Sequence, residues 1–200
     1  MVKVKICGLK RLEDIEIVNR YKPDYIGFVF ADSKRKVTYE LAGKLRQNLD
    51  SGIIPVGVFV DAGIDEIVDL FNRDIIEIAQ LHGNESEDYI INLKQRTNNE
   101  LKIIKAIEMA DDINLLQYDS SHADYLLMDS GKGSGKTFDW RLIRKDLKKE
   151  FFLAGGLDST NIAQAVDEFS PYAVDLSSSL EVNGFKDENK IREIMGIINE

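Results

Sequence analysis

The sequence has 200 residues, of which 44% are hydrophobic and 30% are charged, and its formal net charge is −9. This length fits one domain, residues 1–200, and the composition is that of an ordinary globular protein rather than a disordered or fibrous chain. The negative charge argues against a nucleic-acid partner, because binding a phosphate backbone requires Lys and Arg to displace its counterions.

The chain shows no signal for a membrane, a disulfide or a metal ion. Its apolar runs are far shorter than the ~20 residues that a bilayer-spanning helix needs, and the N-terminus lacks a signal peptide's apolar stretch. We therefore expect a cytoplasmic protein with no membrane partner. A lone cysteine, Cys7, excludes an internal disulfide and a thiolate cluster for zinc. The two histidines, His82 and His122, do not have metal-site spacing.

Eight short segments rich in Val, Ile, Phe and Tyr recur along the chain, and each predicts a β-strand. They are nearly continuous in apolar residues, as expected of parallel strands that are buried on both faces. The segments are residues 2–6, 25–30, 54–60, 75–81, 101–107, 125–128, 151–154 and 172–176.

The intervening segments show helical spacing of apolar residues, such as Leu12, Ile15 and Val18 in the first. Residues suited to N-caps or to the acidic first turn of a helix precede several of them. These are Asp61 or Asp65, Asn84 or Ser86, Asp158 or Ser159, and the pair Asp187-Glu188. The fifth segment, residues 111–123, has few apolar residues and many turn formers, so we expect a short or missing helix there.

Eight alternations of strand and helix predict a closed (β/α)₈ barrel, an α/β fold with a parallel eight-stranded sheet. A doubly wound open sheet is the alternative. It is disfavoured because the first βα turn, Ile6-Cys7-Gly8-Leu9-Lys10, lacks the Gly-x-Gly-x-x-Gly fingerprint of dinucleotide-binding folds.

Polar residues that directly follow an apolar run are the candidates for chemistry, because barrel active sites lie at the C-terminal ends of the strands. Cys7 follows the first run, and it is either a buried small hydrophobe or, as a thiolate, a base. Asp129 follows the sixth run, and it is either a solvated acid or a proton donor whose pKa an apolar mouth would raise. The sequence leaves both choices open.

Glycine and serine residues follow the seventh and eighth runs, in Ala154-Gly155-Gly156-Leu157 and in residues 175–179, which begin with Asp175. In barrels these two loops, with a short extra helix, commonly bind phosphate through backbone N–H groups, so we expect a phosphate site there. Residues 129–137, DSGKGSGKT, superficially resemble a P-loop. Their glycine spacing does not match, so a loop that closes over a substrate is the better interpretation.

Three further polar residues are Arg35, His82 and His122. Arg35 lies in the basic stretch Ser33-Lys34-Arg35-Lys36, which is either a solvated loop or the rim position of a carboxylate-binding arginine. We expect His82 to be a structural imidazole bonded to a neighbouring loop, and His122 to be exposed.

These stretches together resemble the phosphoribosylanthranilate isomerase family over nearly the whole chain. The matching segments are Val4-Lys5-Ile6-Cys7-Gly8-Leu9, residues 24–30 with Ser33-Lys34-Arg35, Val56-Gly57-Val58-Phe59-Val60, Gln80-Leu81-His82-Gly83, Gly133-Ser134-Gly135 with Phe138-Asp139-Trp140, residues 153–157, and Val174-Asp175-Leu176-Ser177-Ser178 with Glu181. Two departures are Lys34, where a proline is usual, and Ser179, where glycine is common.

The resemblance implies a role for each candidate residue. Cys7 would be the general base, Asp129 the general acid, and Arg35 the clamp on the anthranilate carboxylate. Asp175 would contact substrate, and the residues lining the phosphate site would be Gly155, Gly156, Ser177 and Ser178. The implied reaction is an Amadori rearrangement of a phosphorylated small molecule in tryptophan biosynthesis, without a cofactor, by a monomer or homodimer. Without the family, another sugar-phosphate isomerase or a catalytically silent binding barrel would fit equally well.

Overall fold

The computed structural model describes residues 2–110, 113–130, 140–144 and 146–199. Eight parallel strands form a closed barrel in the order β1-β2-β3-β4-β5-β6-β7-β8. The strands are β1 (Lys3–Cys7), β2 (Tyr25–Val29), β3 (Ile54–Phe59), β4 (Ile78–Leu81), β5 (Lys102–Glu108), β6 (Tyr125–Asp129), β7 (Phe151–Leu153) and β8 (Ala173–Leu176). The predicted closed barrel is confirmed, and the doubly wound alternative is wrong.

Six α-helices pack outside the barrel in the described part of the chain. They are α1 (Leu12–Tyr21), α2 (Tyr39–Gln47), α3 (Ile64–Asn72), α4 (Glu87–Arg96), α5 (Ile162–Phe169) and α6 (Glu188–Asn199). A short antiparallel hairpin, β9 (Glu181–Val182) and β10 (Phe185–Lys186), follows β8. None of the described helices is long and apolar enough to cross a membrane.

The weak fifth helical unit was predicted correctly, because its described residues form only the 3₁₀ helix Leu115–Ser120. A helix was also expected between the sixth and seventh strands. The described part of that segment contains only the 3₁₀ turn Trp140–Leu142. The predicted fourth strand began too early. Ile75 and Ile76 are buried in the turn after α3, where the Ile75 amide donates to the Leu70 carbonyl over 3.0 Å.

The helix starts were predicted with mixed success. Ser86 caps α4 by accepting a hydrogen bond from the Tyr89 amide, and Asp187 accepts one from the Lys190 amide at the start of α6. Asp158 and Ser159 do not cap α5, which begins after Asn161.

Asp61 and Asn84 likewise do not cap a helix. Asp61 accepts a hydrogen bond from the Asn84 amide, and α3 begins after Gly63, with Asp65 in its first turn.

Successive side chains of each strand point alternately into the barrel and outward toward the helices, so the buried residues form two separate layers. On β1, Val4 and Ile6 join the large cluster between the strands and the helices. Cys7 instead points into the barrel and packs against Val29 and Val58. Deeper in the barrel, a second cluster that includes Tyr25, Ile104 and Phe152 fills the lower layer. The upper layer is therefore left open for a cavity.

Candidate active site

A cavity of about 860 Å³ opens at the C-terminal ends of the barrel strands. All eight residues predicted for the site line it: Cys7, Arg35, Asp129, Gly155, Gly156, Asp175, Ser177 and Ser178. They come from five separate stretches of the chain, so only barrel closure brings them together.

Cys7 ends β1 and is 8% exposed. Its sulfur occupies the space beside Gly27 on β2, because a Cβ at Gly27 would lie 2.6 Å from Sγ. Burial raises the pKa of the Cys7 thiol above its ordinary value, and the nearby cations Lys5 and Lys186 offset only part of this effect. The thiol therefore needs positive charge beside it to become a thiolate.

Lys5 lies two residues before Cys7 on the same strand face, and its side chain is fully buried. Its Nζ is 2.6 Å from Asp175 Oδ2, in agreement with the register that pairs the two residues. Burial alone would lower the pKa of Lys5, but the Asp175 carboxylate and Cys7 outweigh burial and raise it. The lysine thus stays an ammonium. The second oxygen, Asp175 Oδ1, is buried and accepts no hydrogen bond from any described residue.

Asp129 ends β6 and its carboxylate is held from two sides. The Ser130 amide donates to Oδ1 over 2.9 Å, and His82 Nε2 lies 3.4 Å from Oδ2. The Gln80 amide nitrogen lies 3.0 Å from His82 Nδ1. Because that nitrogen can only donate, Nδ1 is the acceptor and Nε2 carries the proton facing Asp129. The prediction that His82 binds a neighbouring loop is therefore wrong, since its ring contacts Gln80 and Asp129.

Arg35 lies in the loop between β2 and α2, and its guanidinium group binds Glu181 through two hydrogen bonds, Nε to Oε1 (2.6 Å) and Nη2 to Oε2 (3.1 Å). Lys186 Nζ donates to the same Oε1 over 3.0 Å. Burial favours the neutral form of Glu181, but Arg35 and Lys186 outweigh it and lower its pKa to about 2. The solvated-loop interpretation of Arg35 is wrong, because its side chain is only 12% exposed.

The two small-residue loops lie side by side at the rim of the cavity. Gly155 and Gly156 have φ values of +79° and +68°, which L-residues rarely adopt. A Cβ at Gly155 would also lie 2.8 Å from the Ser130 nitrogen. Across the rim, the Ser177 hydroxyl donates to the Cys7 carbonyl over 3.1 Å. The predicted closing loop, residues 129–137, lies outside the described residues from 131 onward.

Four polar residues at the site were assigned no role from the sequence: Gln80, which lines the cavity, and Lys5, Glu181 and Lys186, which bind Asp175, Arg35 and the Ser177 carbonyl. Lys5 could have been found from the sequence, because it lies two positions before Cys7 and residues i and i+2 of a strand point to the same face. Lys186 gave no such signal. It reaches the site only because the β9–β10 hairpin folds back over it.

The comparisons with known proteins agree with this geometry. Residues 4–196 match the family model for N-(5'-phosphoribosyl)anthranilate (PRA) isomerase. An N-(5'-phosphoribosyl)anthranilate isomerase from Endomicrobium trichonymphae is 48% identical over 203 aligned residues, covering 99% of this chain and 98% of the relative.

Among solved structures, phosphoribosyl anthranilate isomerase from Thermus thermophilus superposes with a TM-score of 0.88 at 27% identity, covering 99% of this chain and 98% of the other. Another solved phosphoribosyl anthranilate isomerase, in complex with reduced 1-(o-carboxyphenylamino)-1-deoxyribulose 5-phosphate, gives a TM-score of 0.84 at 32% identity. This match covers 100% of this chain and 99% of the other. By its full-length match to the family model and its close relatives, this chain belongs to the N-(5'-phosphoribosyl)anthranilate isomerase family.

Proposed function

We propose that this chain converts N-(5'-phosphoribosyl)anthranilate into 1-(2-carboxyphenylamino)-1-deoxyribulose 5-phosphate, an Amadori rearrangement in tryptophan biosynthesis. The observation that carries the proposal is the convergence of a thiol, a carboxyl group, a guanidinium group and two small-residue loops on one cavity. Family membership supports the same reaction. The ligand in the solved relative has the carbon skeleton of the product.

In the proposed reaction Asp129 is the general acid and Cys7 is the general base. Asp129 protonates the furanose ring oxygen while the anthranilate nitrogen forms a Schiff base with C1'. The Cys7 thiolate then removes the proton from C2', which gives an enolamine. Tautomerisation adds a proton to C1' and removes one from the C2' hydroxyl, so the product is an isomer of the substrate and no co-reactant is consumed. Each positioned proton transfer contributes about 10²–10⁴-fold.

Binding groups at two ends of the cavity would orient the substrate. We assign the phosphate to the rim formed by Gly155, Gly156, Ser177 and Ser178, where small residues let the backbone approach closely. Asp175 Oδ1 and Gln80 Oε1 are buried acceptors without a partner among the described residues. Since a buried unpaired acceptor is costly, substrate hydroxyl groups are their natural partners.

Arg35 would hold the anthranilate carboxylate, although Glu181 already occupies two of its five donors. No described residue accepts a hydrogen bond from the remaining donors, so they can bind a second carboxylate. Glu181 then fixes the plane of the guanidinium group before the substrate arrives, which reduces the conformational entropy that binding must remove.

The test is a fluorescence assay that follows consumption of N-(5'-phosphoribosyl)anthranilate by the purified protein. We expect Cys7→Ala, Cys7→Ser and Asp129→Asn each to lower kcat by about 10²–10⁴-fold. Serine should not replace the thiol, because an alcohol is a far weaker acid. Asp50→Asn is the control, since Asp50 lies in the loop before β3, at the opposite end of the barrel. Near-full activity of folded Cys7→Ala would refute the assignment of the base and direct the search to Asp175.

We further propose that the chain acts in the cytoplasm as a monomer or homodimer, with the phosphorylated substrate as its ligand. The Thermotoga maritima relative is described as dimeric. Light scattering on the purified protein distinguishes the two states.

A further inference from the structure

Lys5 is a fully buried ammonium group inside the barrel, and it is bound to Asp175, which lines the cavity. Its Nζ binds Asp175 Oδ2 over 2.6 Å. The backbone places Lys5 beside Cys7, because both residues point inward from β1 with one outward residue between them.

Stability alone does not explain this lysine. Burying an ion pair costs desolvation energy, and apolar residues of similar volume are often equally stable or more stable in its place. The layer below is filled by such residues, including Ile104 and Phe152. The charge at this position is therefore better explained by its electrostatic effect on neighbouring groups.

Cys7 is the neighbour most affected. It lies against Val29 and Val58, and these walls disfavour a thiolate. Charges face it from several elements: Lys5 from β1, Asp175 from β8 and Lys186 from β10. Farther across the cavity lie Asp32, Lys34, Arg35, His82, Asp129 and Asp158, and Glu181 is bound to Arg35. Lys186 and Arg35 share the single carboxylate of Glu181, which compensates one of their two positive charges. Of the two lysines, Lys5 shares the inward face of β1 with Cys7, and its charge lowers the pKa of the thiol more than that of Lys186 does.

We propose that Lys5 is a positioning residue for the isomerisation, whose ammonium group, fixed by Asp175, stabilises the thiolate form of Cys7 relative to the thiol. This inference rests on the proposed role of Cys7 as general base. Lys5 keeps its protons throughout. When the sulfur takes the C2' proton, its negative charge is neutralised, and the ammonium–carboxylate pair remains in place for the next cycle.

The experiment measures the rate of Cys7 alkylation by iodoacetamide as a function of pH, because this rate reports the thiolate without requiring catalysis. The variant is Lys5→Met. A double variant, Lys5→Met with Asp175→Asn, removes the carboxylate that the single change leaves unpaired, and it serves if the single variant does not fold. Lys3→Met is the matched control. Lys3 lies on the same strand and face, but its Nζ binds the Tyr172 hydroxyl at the other end of the barrel.

We expect Lys5→Met to raise the pH midpoint of alkylation by one unit or more, so that the rate at pH 8 falls at least about tenfold. The double variant should raise the midpoint by less, because it also removes the Asp175 carboxylate, whose negative charge opposes the thiolate. In Lys5→Met, kcat should fall in parallel, whereas Lys3→Met should match the wild type in both measurements. An unchanged midpoint in the folded double variant would overturn the inference and leave the proposed function intact. A shifted midpoint with unchanged kcat in Lys5→Met would instead refute Cys7 as the base, and the inference with it.

Discussion

Gly27 on β2 leaves the space that Cys7 occupies, so replacing it by alanine should displace the thiol. The added Cβ would lie 2.6 Å from Cys7 Sγ and 3.1 Å from the Cys7 Cα. Gly27 lies within a β-strand, where alanine is conformationally allowed. The predicted effect therefore comes from contact with Cys7 and not from backbone strain.

The size of the effect follows from the distances. Nonbonded heavy atoms are comfortable at about 3.5–4.0 Å, so the sulfur must move by about 1 Å. A misplacement of that size costs about 10²-fold in rate, or roughly 2.7 kcal/mol of transition-state free energy. Overpacking a buried position also lowers the free energy of unfolding by about 1–3 kcal/mol.

Gly57→Ala on β3 is the matched control, because its Cβ would lie 2.7 Å from Phe59 Cε2 and 3.0 Å from Ile76 Cγ2, away from the site. We expect both variants to lose similar stability in urea unfolding followed by circular dichroism. In the fluorescence assay, Gly27→Ala alone should lose kcat by about 10²-fold. An equal loss of kcat in both variants, or wild-type kcat in folded Gly27→Ala, would refute the reasoning.

Two further predictions concern the Arg35–Glu181 pair. Arg35→Ala and Arg35→Lys should raise KM more than they lower kcat, because a carboxylate clamp acts similarly in the ground and transition states; unchanged KM in both would remove Arg35 from the substrate site. The pKa of Glu181 is lowered from its ordinary value of 4.5 to about 2, so its ion pairs stabilise the fold above pH 4.5, and this contribution is lost as the pH falls toward 2. The stability difference between wild type and Glu181→Gln in urea titrations should therefore shrink over that interval, and a constant difference would contradict the assignment.

The barrel could be predicted from the sequence because its strands are local features. Eight apolar runs separated by amphipathic segments specify parallel strands buried on both faces, and all eight runs overlap observed strands. The weak fifth unit was also visible locally, since residues 111–123 lack an apolar stripe. Helix starts were less predictable. Asp158 has the residue type of an N-cap, yet its carboxylate accepts from the Thr160 amide and turns the chain before α5 begins.

Site residues could be predicted from the sequence only where their position at the end of a strand was enough to place them at the cavity. Cys7 and Asp129 end apolar runs, and parallel strands deliver such residues to the same end of a barrel. The residues that contact the Asp129 carboxylate could not be found from their position at the end of a strand. His82 faces Asp129 only because β4 and β6 are brought together across the cavity.

The sequence by itself therefore determined the eight strands, the end of the barrel at which chemistry can occur, and the residue types available there, since these depend on local periodicity and chain order. The tertiary structure decided which charges face which groups. Lys5 pairs with Asp175 across 170 positions, and Arg35 pairs with Glu181 across 146 positions. Such pairs depend on barrel closure and on the fold of the β9–β10 hairpin, which no local pattern encodes, because electrostatic partners are set by distance in space and by burial.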